Sequence, residues 1–390
     1  MPRLRSWTDL INSAGFKSAL RGTLQYFFGK RGERLVGGML VYYWLRMQVI
    51  LKSSQPIGKL TRNRQVRIWV DGLESFARLE QLIRHARYSV VIQMFIWKDD
   101  ETGRRIATAL IEAADRGVQV TITKEAVGDF FEFRGDFLGT QHSDLPCWKA
   151  FWNHPRISVS HIPNKDHAKV YVFDDDILVL TGMNIADEYQ YDLHDYMVEL
   201  QGTEFVKQFL TRTPDERRKD VQLIMNTEDQ KMMRATMEEI LLEAKEFVVV
   251  EYSYISDPRI TDILIDLTKR GIRVTIIVPA YMDFHHHANM ATVGRVLSEG
   301  NSAHLRAFVY PEMFHGKILF VDHSIACVGS ANLMKSSLDD MGEVNVVIRG
   351  KHRALWKIRE ALRHDVLVSR ALSSPPPLLW ISRWLSWLGL

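Results

Sequence analysis

A short histidine motif occurs twice in this chain of 390 residues. The pattern H-x-K-x4-D begins at His167 and again at His315. An asparagine follows each histidine after 17 residues and an acidic residue follows after 28, namely Asn184 and Asp195 in the first copy and Asn332 and Glu343 in the second. A chain that repeats a motif together with its offsets is expected to fold as two related halves. If those halves pack face to face, the two histidines can meet in one cleft.

The residues around both copies have the composition of β-strands. Apolar, β-branched runs bounded by polar turns predict strands over 169–173 and 177–180 in the first copy and over 317–321 and 325–328 in the second. Because alternate residues of a strand share a face, each histidine should project together with the lysine two residues later. We therefore predict an α/β fold of two homologous halves, each a mixed β-sheet flanked by helices, packed around one shared active site.

The doubled motif resembles that of the phospholipase D superfamily, and the chain is most similar to its bacterial cardiolipin synthases. The similarity extends from about Val66 to about Arg370. Thr181-Gly182-Met183-Asn184 resembles the first-copy Gly-Gly-Met-Asn of cardiolipin synthases, with Thr in place of the first Gly. Gly329-Ser330-Ala331-Asn332 matches the Gly-Ser-x-Asn of the second copy. The resemblance implies a phospholipase D-like fold in each half and phosphodiester chemistry on a phospholipid.

The two histidine–lysine pairs supply the groups that phosphodiester exchange requires, which are a nucleophile, an acid for the leaving oxygen and positive charge around the phosphoryl oxygens. We predict that His167 attacks the phosphorus to form a phosphohistidine. His315 should protonate the departing alcohol and then deprotonate the incoming one. Lys169 and Lys317 should bind the non-bridging oxygens, and we expect neither a metal nor another cofactor. Family precedent makes the first histidine the nucleophile, and the reverse assignment stays open.

Four acidic residues belong to the pattern. The resemblance implies that one acid in each half orients a histidine by accepting its Nδ1 proton, and Asp195 and Glu343 match those positions. This arrangement leaves Nε2 free for attack or proton transfer. The motif aspartates Asp174 and Asp322 complete the catalytic motif, and we interpret them as structural.

Uncharged side chains are expected to complete the substrate site. Asn184 and Asn332 should add neutral donors to the phosphate, and we assign Ser330 to the same substrate-binding set. Gln93 and Glu251 occupy matching positions in two predicted strands. For these two residues, a place in the cleft and a plain packing role both stay open.

The run His285-His286-His287 invites a metal-site interpretation. Consecutive histidines point in different directions, however, and no acidic or cysteine partner has ligand spacing. We interpret the run as a loop or a helix start near the mouth of the cleft.

Charge is distributed unevenly along the chain. Residues 1–70 contain thirteen Lys or Arg and two acids, a net charge of +11, so a total of +3 leaves −8 for the remainder. An apolar run over 36–45 and a tail over 378–388 with three Trp have the character of segments that lie at a membrane interface. We predict a basic amphipathic membrane-associating region over 1–63, halves over 64–213 and 214–370, and a Trp-rich interfacial tail over 371–390.

These features predict a membrane-associated phosphatidyltransferase that passes phosphatidyl to a hydroxyl of phosphatidylglycerol or a related alcohol. Its partners would be phosphatidylglycerol, cardiolipin and an anionic membrane surface, at the cytoplasmic face of a bacterial inner membrane. A hydrolytic phospholipase D would use the same residues and stays an alternative. A nuclease of the superfamily would place its basic arm on nucleic acid, but the Trp-rich tail and the apolar run argue against it. Oligomerisation is left open.

Overall fold

The computed structural model describes residues 66–125, 128, 150–162, 165–213, 220–281 and 285–374. The chain divides into one unit over residues 1–60 and a second over residues 61–390, and every described residue belongs to the second unit. The predicted basic region and most of the predicted tail therefore lie outside the described residues.

The first half contains β1 (Val66–Val70), α1 (Asp71–His85), β2 (Ser89–Met94), α2 (Glu101–Asp115), β3 (Gln119–Glu125), β4 (Ile157–Ile162), β5 (Lys169–Phe173), β6 (Ile177–Thr181), α3 (Asp187–Tyr191), β7 (Tyr196–Gln201) and α4 (Thr203–Leu210). The second half contains β8 (Val221–Asn226), α5 (Met233–Leu242), β9 (Phe247–Tyr252), α6 (Pro258–Lys269), β10 (Arg273–Pro279), α7 (His286–Glu299), β11 (Leu305–Tyr310), β12 (Lys317–Val321), β13 (Ile325–Gly329), β14 (Glu343–Arg349), α8 (Arg353–Val368) and β15 (Arg370–Leu372).

The two halves repeat the same sheet topology. The first sheet has the order β1-β7-β6-β5-β2-β3-β4, and the second has β15-β11-β10-β9-β12-β13-β14-β8. Read from the opposite edge, the second order reproduces the first with one extra strand. In each sheet the second, third and fourth strands of the half are parallel, and the strand that carries the motif lysine pairs antiparallel with the second. The predicted fold class, two mixed sheets flanked by helices, is confirmed.

The extra strand changes one predicted boundary. Arg370–Leu372 pairs antiparallel with β11 at the edge of the second sheet. The first two residues of the predicted tail over 371–390 therefore belong to the sheet.

The hydrophobic core forms three layers, and the middle one lies between the two sheets. Val170 of β5 and Ile318 of β12 belong to this middle cluster. Their sequence neighbours Tyr171 and Leu319 face the opposite way, against the helices of their own halves. The motif strands are thus buried on both faces, which is why they are apolar throughout instead of alternating. The middle layer is the face-to-face packing that the repeat predicts.

The motif aspartates hold each motif hairpin against the loop that precedes the second strand of its half. The Asp174 carboxylate accepts backbone N–H groups of residues 87–89 at 2.7–3.1 Å. The Asp322 carboxylate accepts those of residues 245–247 at 2.7–2.9 Å. Both aspartates lie in the left-handed region, with φ of 50° and 48°, as tight hairpin turns require. Their structural interpretation is confirmed.

Within the described part of the chain, no helix combines the length and apolar character needed to cross a bilayer.

Candidate active site

Each motif lysine is the first residue of a strand at the site. Lys169 is the first residue of β5 and Lys317 the first of β12, and both side chains are fully buried. Each ammonium donates to the carbonyl oxygen of its own motif histidine at 2.6 Å. The lysine and histidine of each half are therefore adjacent, with each histidine two residues before the strand.

The backbone of each motif pairs with the other half of the molecule. The His167 N–H donates to the Gly342 carbonyl at 2.8 Å, and the His315 N–H donates to the His194 carbonyl at 2.8 Å. Gly342 and His194 directly precede the two predicted orienting acids. Each histidine is therefore placed beside the acid of the opposite half.

The side chains follow the same crossed arrangement. His167 Nδ1 lies 3.2 Å from Oε1 of Glu343, and His315 Nδ1 lies 2.9 Å from Oδ2 of Asp195. A carboxylate that accepts the Nδ1 proton fixes the tautomer and leaves Nε2 as the reactive atom. Burial is the largest influence on the pKa of Lys169, and the charges of Glu343, Lys317 and Asp195 act on it as well, so groups from both half-sites share one charge network.

The two acids are supported differently. Asp195 Oδ1 accepts the backbone N–H of Tyr196 at 2.7 Å, and its carboxylate packs against Gly182, where a Cβ would lie 2.5 Å from Oδ2. Glu343 instead accepts the hydroxyl of Ser330, which itself accepts the Val344 N–H at 3.0 Å. The shorter side chain, Asp195, thus packs against Gly182, and the longer one, Glu343, contacts Ser330 at the equivalent position of the other half. Ser330 directly contacts the acid, while its assigned contact with substrate stays a prediction.

Burial shifts the ionisation of the site. It lowers the pKa of Lys169 to about 7. It raises the pKa of Asp195 to about 6 against the attraction of Lys317. Burial and then the Lys169 charge lower the pKa of His167. Burial alone would raise the pKa of Glu343, but the neighbouring His167 and Lys169 outweigh it and lower that pKa. At neutral pH His167 is therefore a neutral imidazole beside the Glu343 carboxylate.

The predicted asparagines are both buried. Asn184 Oδ1 accepts the Ile96 N–H at 3.1 Å, and its Nδ2 donates to the Tyr189 hydroxyl at 2.8 Å. Asn332 Oδ1 accepts the hydroxyl of Ser253 at 3.1 Å, and that hydroxyl lies 3.3 Å from the Lys317 ammonium. These contacts fix both amides, and donation to a phosphate stays a prediction.

Two aromatic residues that sequence reasoning did not select contact the histidines. The Phe95 ring packs edge-on against His167 with centroids 5.0 Å apart, and the Lys169 ammonium lies 5.0 Å from the same ring. Tyr189 packs edge-on against His315 at 5.2 Å. Phe95 follows β2 and Tyr189 lies in α3.

The matching residues Gln93 and Glu251 are both buried, in the strands that pair with the motif strands. Gln93 accepts a hydrogen bond from Arg212, whose guanidinium also lies 3.3 Å from Asp166. Glu251 accepts the Tyr196 hydroxyl at 2.9 Å. Each therefore has polar partners in the fold, and the two halves differ in the charge they place there.

Among the described residues, one group of His, Glu and Asp side chains brings potential metal-ligand atoms close together. The donor atoms of His194, Glu251 and Asp365 lie within 4.8 Å of one another. The run at 285–287 does not form such a group; His285 lies directly before α7, with φ of 56°. Its interpretation as a loop or helix start is confirmed.

The family profile described as "Cardiolipin synthase, PLD-like domain" matches residues 79–213 and 237–365. The chain is 26% identical over 318 residues to cardiolipin synthase A of Pseudomonas syringae pv. syringae strain B728a, covering 73% of this chain and 65% of that protein. It is 26% identical over 358 residues to the major cardiolipin synthase ClsA of Bacillus subtilis strain 168, covering 82% of this chain and 73% of that protein.

Solved structures share the fold. The phosphatidylserine synthase of Haemophilus influenzae Rd KW20 superposes with a TM-score of 0.68 at 15% identity, covering 85% of this chain and 94% of that chain. The polyphosphate kinase of Porphyromonas gingivalis superposes with a TM-score of 0.54 at 13% identity, covering 86% of this chain and 56% of that chain.

Proposed function

Because the chain belongs to the cardiolipin synthase family with phospholipase D-like domains, we propose that it is a membrane-associated phosphatidyltransferase that makes cardiolipin. The observation that carries the proposal is the crossed pairing of two histidine–lysine pairs with two carboxylates in one charge network. Such a site offers two imidazoles and two ammonium groups to a single phosphodiester.

The proposed reaction has two steps. In the first, Nε2 of His167 forms a bond to phosphorus, the bond to the leaving oxygen breaks, and His315 gives that oxygen its proton. In the second, a hydroxyl of phosphatidylglycerol attacks phosphorus, the P–N bond breaks, and His315 accepts the hydroxyl proton. Lys169 and Lys317 hold the charge of the non-bridging oxygens in both steps.

The ionisation of the site supports His167 as the nucleophile. A nucleophilic imidazole must be neutral, and burial together with Lys169 lowers the pKa of His167. The lowered pKa of Glu343 keeps its carboxylate ionised as the acceptor of the Nδ1 proton. The imidazolium-like charge that develops during attack is then stabilised by Glu343.

Membrane binding is assigned to the chain ends. The basic region over 1–63 suits an anionic surface because each Lys or Arg near such a surface contributes about 1 kcal/mol. We place the enzyme at the cytoplasmic face of a bacterial inner membrane. The aromatic rings of Phe95 and Tyr189 beside the histidines favour an alcohol over water as the second nucleophile.

Product analysis tests the proposal. The purified protein is incubated with phosphatidylglycerol vesicles in the presence of a chelator, and cardiolipin, phosphatidic acid and free glycerol are measured. Cardiolipin with equimolar glycerol is expected. Phosphatidic acid alone would instead identify a hydrolytic phospholipase D, and cleavage of single-stranded DNA with neither lipid product would identify a nuclease.

Trapping the phosphoenzyme tests the roles of the histidines. His167→Ala should abolish acid-labile label from phosphatidylglycerol carrying a radioactive phosphate. His315→Ala should retain the ability to form it from a substrate whose leaving group needs no proton. His85→Ala, an exposed histidine on α1, is the control. Normal labelling of His167→Ala would reverse the assignment.

A further inference from the structure

A buried polar cluster lies beneath the second motif and takes no part in the steps described above. We call it the His194 cluster; it consists of Asp71, His194, Tyr196, Glu251 and Asp365. His194 Nδ1 lies 2.5 Å from Oδ1 of Asp71. His194 Nε2 lies 2.9 Å from the Tyr196 hydroxyl, 3.4 Å from the Asp365 carboxylate and 3.5 Å from that of Glu251.

The cluster joins both halves of the molecule around one imidazole ring. Asp71 begins α1 and Tyr196 begins β7 in the first half, whereas Glu251 lies in β9 and Asp365 in α8 of the second. The ring is also stacked on Tyr310, with centroids 5.8 Å apart and an interplanar angle of 18°. Ion pairs and aromatic contacts from both halves therefore fix the orientation of His194.

His194 is connected to His315 by two parallel links, one through its own carbonyl and one through the next residue. Its carbonyl accepts the backbone N–H of His315 at 2.8 Å. The next residue is Asp195, whose Oδ2 holds His315 Nδ1 at 2.9 Å. A Cβ at Gly316 would lie 3.0 Å from the Tyr196 ring and 3.1 Å from Glu251, so the cluster also packs directly against the motif. Displacement of His194 would move both anchors of His315 together.

The first motif has no equivalent arrangement among the described residues. The position that corresponds to His194 is Gly342, and the position that corresponds to Glu251 is Gln93. Gln93 is bound by Arg212, which also contacts Asp166. The half-site of His315 is therefore supported by an acidic cluster with an imidazole, and that of His167 by a guanidinium with an amide.

We propose that His194 is a positioning residue for proton transfer: fixed by its cluster, it holds the His315 backbone and the Asp195 carboxylate so that His315 Nε2 points at the leaving oxygen. This inference rests on the proposed function. It gives the two homologous halves different tasks, because only the His315 half carries the cluster among the described residues.

The charge balance of the cluster agrees with this role. Burial opposes a charge on His194, but contacts with Tyr196 and Asp365 raise its pKa well above the ordinary value. The carboxyl groups respond differently: contact with His194 lowers the pKa of Asp365 against its burial, whereas burial and the neighbouring Asp365 raise the pKa of Glu251 to about 7. A charged imidazole paired with the buried Asp365 carboxylate resists movement, because separation would leave uncompensated buried charge.

A pair of substrates separates positioning from general structural damage. Glycerol leaves phosphatidylglycerol only with a proton, whereas nitrophenolate leaves phosphatidyl-p-nitrophenol without one. His194→Gln should slow glycerol release by about 30-fold or more, since general acid catalysis contributes about 10²-fold or more. Its first turnover of the nitrophenyl lipid, measured as the nitrophenolate burst, should fall by less than about 3-fold.

The ratio of the two losses decides the outcome. Partial unfolding lowers both rates equally and cancels in this ratio, and His85→Gln should leave both rates unchanged. Equal losses on the two substrates, or no loss on either, would overturn the positioning role. Loss of wild-type glycerol release in chelator with recovery on adding Zn²⁺ would also overturn it, because the cluster would then act as a cation site.

A second variant keeps the test decisive if His194→Gln fails to fold. Tyr196→Phe removes only the hydroxyl that links His194 to Glu251, and should slow glycerol release about 5-fold with an unchanged burst. Failure of the proposed function has a different signature. If the wild-type enzyme releases glycerol but makes no cardiolipin, the proposed transferase activity is refuted. The ratio of the loss in glycerol release to the loss in the nitrophenolate burst can still be measured.

Discussion

The crossed pairing predicts that the two orienting acids tolerate amide substitution differently. Asp195→Asn and Glu343→Gln each replace a carboxylate by an amide of the same shape. An amide that accepts the histidine N–H through its oxygen directs its NH₂ group to the other side, where that group needs an acceptor. The groups around the NH₂ position of the amide therefore determine how much activity each variant loses.

Asp195 offers no such acceptor. Its Oδ1 is bound to the backbone N–H of Tyr196 at 2.7 Å, and its Oδ2 to His315 Nδ1. With the amide oxygen on His315, the NH₂ group would face the Tyr196 N–H donor. With the oxygen on Tyr196, the NH₂ group would force His315 into the wrong tautomer, which costs about 10⁴-fold in a catalytic triad. We expect Asp195→Asn to lower kcat by about 10³- to 10⁴-fold.

Glu343 has an adaptable partner. Its second oxygen accepts the hydroxyl of Ser330, and that hydroxyl can rotate to accept an amide N–H. The backbone carbonyl of Val344 lies 3.3 Å from the same hydroxyl and can take its proton. The correct His167 tautomer then survives, and only the charge of a charge-assisted hydrogen bond is lost. A loss of about 1.5–3 kcal/mol corresponds to about 10- to 150-fold in rate.

The assay is initial glycerol release from phosphatidylglycerol vesicles, normalised to folded protein by circular dichroism. The expected order of activity is wild type, then Glu343→Gln, then Asp195→Asn, with at least about 10-fold between the two variants. Ser330→Ala in the Glu343→Gln background removes the rotating hydroxyl and should bring that loss close to the loss of Asp195→Asn. A Glu343→Gln enzyme as inactive as Asp195→Asn, or insensitive to Ser330→Ala, would refute the reasoning.

Three further predictions follow from the same contacts. Gly182→Ala should lower kcat about 100-fold, because its Cβ would lie 2.5 Å from Asp195 Oδ2 and displace that carboxylate, and steady-state kinetics would show it. Asp174→Ala should lower the free energy of unfolding by about 1–3 kcal/mol in urea while activity per folded molecule is retained, with Asp174→Asn as the milder control; a loss of activity without loss of stability would contradict its structural role. The plot of kcat/KM against pH should be bell-shaped, rising as Asp195 ionises near its pKa of about 6 and falling as Lys169 loses its proton near its pKa of about 7. Lys169→Arg should move the alkaline limb upward, and an unmoved limb would exclude Lys169 as its origin.

The local chemistry of the site could be predicted from sequence because it is encoded over short distances. The two-residue spacing of His167 and Lys169, and of His315 and Lys317, predicted that the members of each pair lie together. Repetition of the whole pattern predicted two equivalent sheets. The aspartates of the motif could be interpreted as structural, and the backbone N–H groups around Asp174 and Asp322 confirm it.

Pairing across the two halves could not be predicted in this way. Asp195 follows the first motif but holds His315, and Glu343 follows the second but holds His167. Sequence offset identifies which residues belong to the site, but not which half each one serves. That choice depends on how the two sheets pack through the middle core layer.

The sequence by itself determined that each half carries an imidazole two residues before a strand that begins with a lysine, because this spacing depends only on residue order. Tertiary structure alone decided that His194, Asp71 and Asp365 converge beneath His315 from separate elements. Each of these residues is unremarkable in its own segment. Only the packing of the two halves brings their charges within a few ångströms and makes the half-sites different.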